Sequence, residues 1–179
     1  MNKKVVIVSS SPRKNGNSET LAKEFARGAS DAGNQVEFIT VRELKLEFCR
    51  GCLYCQSHDK CVISDSVKDL LGTVQNADVL VFATPVYYYS VSGQLKTFLD
   101  RLNPLFPREN KFKDVYIVAT CADEEASAFD GAVKVVEGWV DCFDGVSIAG
   151  KILCPCVTDV GDVKGNVALK KAYETGKNV

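Results

Sequence analysis

The chain has 179 residues and a mass of 19.5 kDa, a size typical of one domain, so we expect residues 1–179 to form a single domain. Hydrophobic residues make up 46% and charged residues 25%, which is the composition of a globular protein and excludes a disordered chain. The 22 basic and 23 acidic residues nearly cancel, and this balance argues against a nucleic-acid partner.

Two further features of the composition bear on the compartment. No apolar run approaches the ~18 residues that a membrane-spanning helix needs, so we expect no membrane partner. The apolar stretch at residues 5–8 is too short for the core of a secretory signal, so we expect a cytoplasmic protein. Because the cytoplasm is reducing, the eight cysteines are not expected to form a disulfide framework.

Apolar runs of strand length alternate along the chain with segments of helical spacing. Strands are predicted at residues 4–9, 35–41, 77–83, 114–120 and 146–153. Helices are predicted around residues 21–29, 67–74, 95–102, 132–143 and 167–175. Asp65 or Ser66 is expected to cap the second of these helices. This alternation predicts an α/β fold in which helices cover both faces of a parallel sheet. Ligands of such sheets bind at the carboxyl ends of the strands, so the loops after strands one, three and four are the places to examine.

The loop after the first strand, residues 9–18, reads S-S-S-P-R-K-N-G-N-S and leads directly into a helix. Its hydroxyls, amides, two cations and helix N-terminal N–H groups are the components of an anion site. It matches neither the P-loop nor the G-x-G-x-x-G pattern, so neither a nucleoside triphosphatase nor a Rossmann dinucleotide site is indicated. The alternative is a polar loop in which Ser18 is the helix N-cap.

The segment after the third strand, residues 83–96, contains three consecutive tyrosines. One interpretation is an amphipathic wall for a flat ring, with backbone amides directed at the polar edge of that ring. The alternative is that the tyrosines reflect β-propensity and packing. After the fourth strand, the acidic run at residues 123–125 is best explained as a solvated helix start.

These two segments together resemble the NADPH-dependent FMN reductase family of flavodoxin-like proteins. The family pattern G-S-P-R-x-x-G-N-[ST] is matched at the first loop, with Ser10 in place of the usual glycine. The pattern S-P-V-Y-x-x-x-x-[SP]-x-x-L-K-x-F-x-D-R is matched from residue 84 through Arg101. The resemblance covers roughly residues 4–120. It implies a flavodoxin-like three-layer sandwich with a five-stranded parallel sheet in the order 2-1-3-4-5, and non-covalently bound FMN.

The resemblance also implies which residues bind the cofactor. Those at the first loop would hold the FMN phosphate, with Asn15 shaping the turn: Ser11, Arg13, Asn17 and Ser18. Those at the other two loops would contact the isoalloxazine ring: Pro85, Val86, Tyr87, Tyr88, Thr120 and Ala122. Lys96, Asp100 and Arg101 are expected to be structural.

Four cysteines form a compact C-x2-C-x2-C-x5-C pattern: Cys49, Cys52, Cys55 and Cys61. Such clustering suits a [4Fe–4S] cluster better than zinc, because the only histidine is His58. The spacing resembles that of iron–sulfur flavoproteins, a branch of the same family. Alternatives are buried small side chains, redox-active thiols, or metal ligands that lose their metal on purification.

The other four cysteines have a weaker pattern. Cys121 and Cys142 are expected in the core. Cys154 and Cys156 are expected to pack at a strand end, with a redox pair as the less favoured alternative.

The expected function is an FMN-dependent oxidoreductase that passes electrons from NAD(P)H through FMN to a small acceptor such as a quinone or a flavin. Because the flavin carries the chemistry, no side chain is assigned a catalytic role. One alternative is an iron–sulfur flavoprotein that carries electrons between protein partners. Another is a binding module that keeps the fold without the flavin. The resemblance further implies a homodimer.

Overall fold

The structure is a computed structural model that describes residues 2–58 and 60–179. The strands in this part of the chain are β1 Lys4–Ser9, β2 Gln35–Thr40, β3 Val79–Tyr87, β4 Ser90–Val91, β5 Asp114–Thr120 and β6 Ser147–Cys154. The α-helices are α1 Asn17–Asp31, α2 Tyr54–His58, α3 Ser66–Gln75, α4 Gly93–Arg101, α5 Asp130–Val140 and α6 Val167–Lys177. Short 3-10 helices lie at Val41–Glu43, Asn103–Leu105 and Ala126–Phe129.

The sheet has the parallel order β2-β1-β3-β5-β6, and the two-residue β4 pairs antiparallel with the end of β3. The predicted fourth and fifth strands are β5 and β6, so the predicted order 2-1-3-4-5 is confirmed. Strand order reverses beside β1, which is the position where ligands bind in open α/β sheets. No helix in the described residues has the length and apolar character needed to cross a membrane.

Helices pack on both faces of the sheet, as predicted. Val6 and Val8 of β1 point into a core with α3, α4 and α5, whereas Val5 and Ile7 point into a core with α1 and α6. All four side chains are fully buried. A strand buried on both faces has a continuous apolar sequence rather than an alternating one.

The third strand differs most from its prediction. It was expected at residues 77–83, but β3 runs from Val79 to Tyr87. Its last residues stay paired on both sides: Pro85 lies opposite Thr120 of β5, and Tyr87 lies opposite Ser90 of β4. The apolar run ends at residue 83, but pairing with β5 and the hairpin with β4 extend the strand to Tyr87.

Side-chain caps set the starts of three helices. Asp65 accepts a hydrogen bond from Val67 N at the start of α3, which confirms one of the two predicted caps. Ser92 and Asn166 do the same for α4 and α6. Ser18, in contrast, is not an N-cap, because α1 begins one residue earlier and its N-cap residue is Gly16.

Candidate functional site

The loop between β1 and α1 is folded into a tight curl. Ser10 is fixed to β3 by its N–H and its Oγ, which both donate to Ala83 O at 2.9 Å. The curl is then closed by Ser11 Oγ, which donates to Arg13 O at 2.9 Å, and by Gly16 N, which donates to the same oxygen at 3.1 Å. Hydrogen bonds from Ser10, Ser11 and Gly16 therefore fix the backbone of this short loop.

The inside of this curl has the features of an anion cradle. A Cβ atom on Gly16 would overlap Ser11 Oγ, so glycine is required here for the curl to close this tightly. The N–H groups of the first three residues of α1 have no acceptor within the helix, and the helix dipole places positive charge there. Ser18 is 1% exposed, and its Oγ has no hydrogen-bond partner in the described residues. A buried hydroxyl beside unpaired N–H groups suits a phosphate oxygen.

Asn17 lines the pocket, but its side chain is used within the protein. Its Nδ2 donates to Asp159 O at 2.9 Å, and its Oδ1 accepts from Gly161 N at 3.2 Å and Val163 N at 3.3 Å. The side chain therefore holds the segment 159–163 against the start of α1. The sequence analysis missed this structural role because the partners lie at the other end of the chain.

Arg13 and Asn15 also make contacts that the resemblance does not imply. Arg13 Nη1 donates to Thr158 O at 2.7 Å, so its exposed side chain bridges to the loop after β6. Asn15 has a φ of +56°, and its Oδ1 accepts a hydrogen bond from Lys23 Nζ at 3.0 Å. Asn15 thus shapes the turn, as expected, but its side chain does not line the pocket.

Glu19 is a buried acid beside the anion cradle that the sequence analysis did not single out. Burial alone would raise the pKa of Glu19, but hydrogen bonds and charge from Lys23 and Arg42 lower it below its ordinary value. Arg42 Nη1 lies 2.7 Å and Lys23 Nζ 2.8 Å from its carboxylate oxygens. Two cations therefore balance its negative charge. A glutamate three residues after the N-cap is a recognised helix-start signal that points to this position.

The cradle opens into a pocket of about 180 Å³ at the carboxyl ends of β1, β3 and β5. An adjoining pocket of about 450 Å³ shares three lining residues with it, namely Val86, Cys121 and Ala122. Nine of the eleven residues predicted to contact FMN line the first pocket: Ser11, Arg13, Asn17, Ser18, Pro85, Val86, Tyr87, Thr120 and Ala122. Tyr88 lines the adjoining pocket. The two predicted motifs therefore converge in one place.

A strained turn forms the mouth of the adjoining pocket. Tyr88 and Tyr89, between β3 and β4, have φ values of +48° and +59°. A left-handed conformation costs a bulky residue roughly 1–2 kcal/mol. The turn is held in place because Tyr89 O lies where a Cβ atom on Gly131 would be, and Tyr89 Oη donates to Asp123 Oδ2 at 3.4 Å. Tyr88 is fully exposed to solvent, and its side chain lines the adjoining pocket.

The loop after β6 also lines the pocket, through Val157, Thr158 and Val160. The sequence analysis did not select this loop. Its position follows from the topology, because β6 is parallel to β5 and ends at the same edge of the sheet. The rule that ligands bind at the carboxyl ends of parallel strands would have been enough to select the loop after β6.

The cysteine cluster lies elsewhere, between β2 and α3. Cys49 and Cys52 are exposed, Cys55 is buried and Cys61 is half-buried. Two of the sulfurs accept hydrogen bonds from α4 and the 3-10 turn after it: Cys61 Sγ from Arg101 Nη1 at 2.8 Å, and Cys55 Sγ from Asn103 Nδ2 at 3.1 Å.

The chemistry of four thiols suits an iron–sulfur cluster, but their placement does not. Within residues 2–58 and 60–179, no three side chains of histidine, cysteine, aspartate or glutamate lie close enough to hold a metal ion. We therefore derive no step through a metal. Of the two cysteines expected in the core, Cys121 is buried, whereas Cys142 is exposed. The prediction for Cys142 is wrong because α5 ends at Val140 and Cys142 lies in the turn that follows, with its side chain in solvent, whereas Phe143 next to it is buried.

Most of the relatives found by comparison with known proteins are iron–sulfur flavoproteins, and one, from Bacillus subtilis, carries the name of an NAD(P)H-dependent FMN-containing oxidoreductase. An iron–sulfur flavoprotein of Methanocaldococcus jannaschii is 38% identical over 102 residues, which are 57% of this chain and 53% of that protein. An iron–sulfur flavoprotein of Archaeoglobus fulgidus is 27% identical over 179 residues, covering 98% of this chain and 78% of that protein. The match spans only about half the length of several of these relatives.

Solved structures share the fold at low identity. An NAD(P)H:quinone oxidoreductase from Methanothermobacter marburgensis has a TM-score of 0.75 at 16% identity, covering 99% of this chain and 97% of the other. An azoreductase from Bacillus anthracis has a TM-score of 0.74 at 16% identity, with full coverage of both chains. A family model described as NADPH-dependent FMN reductase matches residues 3–143. With most of its length matched and both sequence motifs at one pocket, the chain belongs to the NADPH-dependent FMN reductase family.

Proposed function

We propose that this protein binds FMN non-covalently at the carboxyl edge of its sheet and acts as an NAD(P)H-dependent oxidoreductase with a small acceptor such as a quinone or a flavin. The observation that carries the proposal is the buried hydroxyl of Ser18 at the N-terminus of α1, which has no partner in the described residues and lines the same pocket as Pro85, Val86 and Tyr87. A pocket that combines an anion site with a wall for an aromatic ring fits a flat ligand that carries a phosphate.

The phosphate would be held mainly by neutral donors. Ser18 Oγ and the N–H groups at the start of α1 face the cradle, and the helix dipole favours the negative charge. Arg13 lies at the rim and is anchored to Thr158 O, so its charge is fixed near the site. Glu19 does not oppose the ligand, because Arg42 and Lys23 neutralise it.

The ring would lie against the end of β3, where Pro85, Val86 and Tyr87 line the first pocket and Tyr88 lines the second. This wall is largely apolar, which favours a flat ring over water. When bound, FMN supplies hydride acceptance from a nicotinamide and onward electron transfer. The residues of this chain bind and orient the ring and limit the access of water, and we assign no side chain a proton-transfer step.

The first test is the binding of FMN to purified protein, followed by its reduction with NADPH or NADH. We expect absorption bands near 370 and about 450 nm that bleach on addition of nicotinamide without oxygen. Ser18→Ala removes one charge-assisted hydrogen bond, so we expect about tenfold weaker FMN binding by fluorescence titration. Ser30→Ala, exposed at the other end of α1, is the matched control and should bind normally. A protein that stays colourless with excess FMN contradicts the proposal and favours the flavin-free binding module.

A second candidate is an electron carrier in which Cys49, Cys52, Cys55 and Cys61 move together to hold a [4Fe–4S] cluster, since no three of these thiols lie close enough for a metal ion in the described residues. Two observations favour it: the relatives named iron–sulfur flavoprotein, and the hydrogen bonds that Arg101 and Asn103 donate to two of the sulfurs. Hydrogen bonds to thiolate sulfurs are a general means of tuning such sites. Anaerobic purification with about four iron atoms and four sulfides per chain would support this candidate, and metal-free protein would contradict it.

We also propose that the chain is one cytoplasmic domain that pairs as a homodimer. The exposed apolar side chains at the mouth of the pocket support pairing, since Tyr88 is fully exposed and Val160 is 53% exposed. Sedimentation velocity on the FMN-loaded protein tests this directly. A species of one chain mass across the accessible concentrations would contradict the dimer.

A further inference from the structure

Three cysteines lie at the carboxyl ends of β5 and β6, next to the candidate FMN pocket. Cys154 is the last residue of β6, Cys121 directly follows β5, and Cys156 lies two residues beyond β6. The two chain segments stay paired beyond the strands, because Cys121 N donates to Cys154 O at 3.2 Å and Val157 N donates to Cys121 O at 2.9 Å. Hydrogen-bonded neighbouring strands lie about 4.8 Å apart, and this spacing is within the ~4.4–6.8 Å range of Cα–Cα separations that disulfides bridge.

Cys121 and Cys156 both donate a hydrogen bond to the same backbone oxygen. Cys121 Sγ donates to Asp123 O at 3.3 Å, and Cys156 N donates to the same oxygen at 3.2 Å. Cys154 differs from both, because its side chain is buried in the core with α1 and α6, whereas Cys121 belongs to the core on the opposite face. Cys156, whose N–H binds the same oxygen as Cys121 Sγ, is therefore the candidate partner of Cys121.

The two thiols differ in accessibility. Cys121 is 5% exposed and lines both parts of the pocket, whereas Cys156 is exposed to solvent. Burial raises the pKa of Cys121, the hydrogen bond to Asp123 O offsets part of this effect, and the nearby charges of Asp123 and of the other two cysteines add to it. Cys156 has a φ of +59°, a strained conformation of the kind that concentrates at functional sites. The pair thus has an outer sulfur open to solvent and an inner sulfur at the pocket.

We propose that Cys121 and Cys156 form a reversible disulfide that passes electrons from the pocket to a low-molecular-weight disulfide outside. In the outward step, Cys156 sulfur attacks the external disulfide, its S–S bond breaks and one thiol leaves. Cys121 sulfur then attacks Cys156 sulfur and releases the second thiol. Two electrons and two protons move from the protein thiols to the external disulfide.

The return step rests on the proposed function. NADPH and one solvent proton supply the two electrons and two protons that convert the Cys121–Cys156 disulfide back to two thiols, by way of the bound flavin. The chain would then be a thiol–disulfide reductase in addition to a reductase of small aromatic acceptors. Cys121 is placed for this relay because it lines the pocket that the ring would occupy.

The disulfide itself is tested on protein without FMN. Protein is incubated with glutathione disulfide, alkylated and digested with trypsin, which cuts after Lys113, Lys134, Lys151 and Lys164. Cys121 then lies in peptide 114–134, and Cys154 and Cys156 lie in peptide 152–164. We expect these two peptides to be linked, and the link to be reversed by dithiothreitol.

Three serine variants identify the sulfur involved. Cys156→Ser should reduce the yield of the linked peptides at least about tenfold, because the exposed partner is gone. Cys154→Ser and Cys142→Ser should leave the yield unchanged. An unlinked wild-type protein, or equal yields in Cys156→Ser and Cys154→Ser, would overturn the pairing.

The electron route is tested on oxidised, FMN-loaded protein with NADPH in the absence of oxygen. We expect the linked peptides to disappear, with one equivalent of NADPH per chain consumed beyond the equivalent that reduces FMN. If NADPH reduces FMN but the link persists, the route is wrong while the proposed function stands. If NADPH does not reduce FMN, the proposed function and the route are both wrong, and the peptide map still decides the disulfide.

Discussion

Arg101 donates two hydrogen bonds to Asp65, from Nη2 to Oδ1 at 2.8 Å and from Nε to Oδ2 at 3.1 Å, and both side chains are almost completely buried. The same carboxylate accepts hydrogen bonds from Val67 N at the start of α3 and from Glu47 N before the cysteine segment. One ion pair therefore joins α4, α3 and the chain that leads to Cys49. This is a structural role for Arg101, as the sequence analysis expected.

Removal of one partner of this pair should strongly destabilise the protein. Arg101→Leu leaves the Asp65 carboxylate buried without its cation, so we expect the free energy of unfolding to fall by about 3–5 kcal/mol. Urea unfolding at neutral pH measures the change. Lys96→Ala is the control on the same helix, because the Lys96–Asp100 pair is exposed and should contribute less than about 1 kcal/mol. Equal losses in the two variants would show that burial of the pair is unimportant.

The stability of the protein should fall in acid, and Asp65 should contribute to the fall. Burial alone would raise the pKa of Asp65, but hydrogen bonds from Arg101 and from two backbone N–H groups lower it below the ordinary value. A lowered pKa in the folded state gives stability that is present above the unfolded value of about 3.9 and lost as the pH falls through the folded value.

Unfolding free energies measured from about pH 6 downwards test this linkage, and Asp65→Asn should show a shallower dependence on pH than the wild type. Asp69→Asn, on the same helix, is the comparison because Asp69 is exposed. A slope unchanged in Asp65→Asn would contradict the assignment to this carboxylate.

Gly16→Ala should abolish most FMN binding without unfolding the protein. The new Cβ atom would overlap Ser11 Oγ and displace the hydroxyl that closes the cradle, so we expect the affinity for FMN to fall at least about tenfold. Equilibrium dialysis with FMN gives the affinity. Gly138→Ala is the matched control, since no atom lies near its Cβ position in α5, and it should raise stability by up to about 1 kcal/mol while binding FMN normally.

Tyr88→Gly should make the protein more stable but less effective as a reductase. Glycine adopts the left-handed conformation without strain, so we expect a gain of roughly 1 kcal/mol in the free energy of unfolding. Loss of the exposed ring from the adjoining pocket should lower kcat/KM for an aromatic acceptor.

Leu53→Gly relieves a similar left-handed residue far from the pocket and serves as the control. It should stabilise the protein equally and leave kcat/KM unchanged. An unaltered kcat/KM in Tyr88→Gly would remove the tyrosine from the acceptor site.

The parallel sheet was predictable because its strands are short, largely apolar runs that alternate with helices, and its carboxyl edge is where ligands bind. The strand order followed only from the family resemblance. The β3–β4 hairpin was not predictable in this way, since its turn residues Tyr88 and Tyr89 lack the usual Asn-Gly signature. The residues of the cradle were recognisable as local motifs. Their contacts were not, because Arg13 and Asn17 bind the loop after β6, which no local pattern connects to them.

The contacts of Asn17 have a consequence for how the molecule folds. Its amide binds residues that lie 142 to 146 positions further along the chain. Closing so long a loop is entropically costly, and contacts of this separation slow folding. The cradle wall at residues 158–163 is therefore among the later parts of the molecule to form. During synthesis, this pocket cannot be complete until residues 157–163 have left the ribosome.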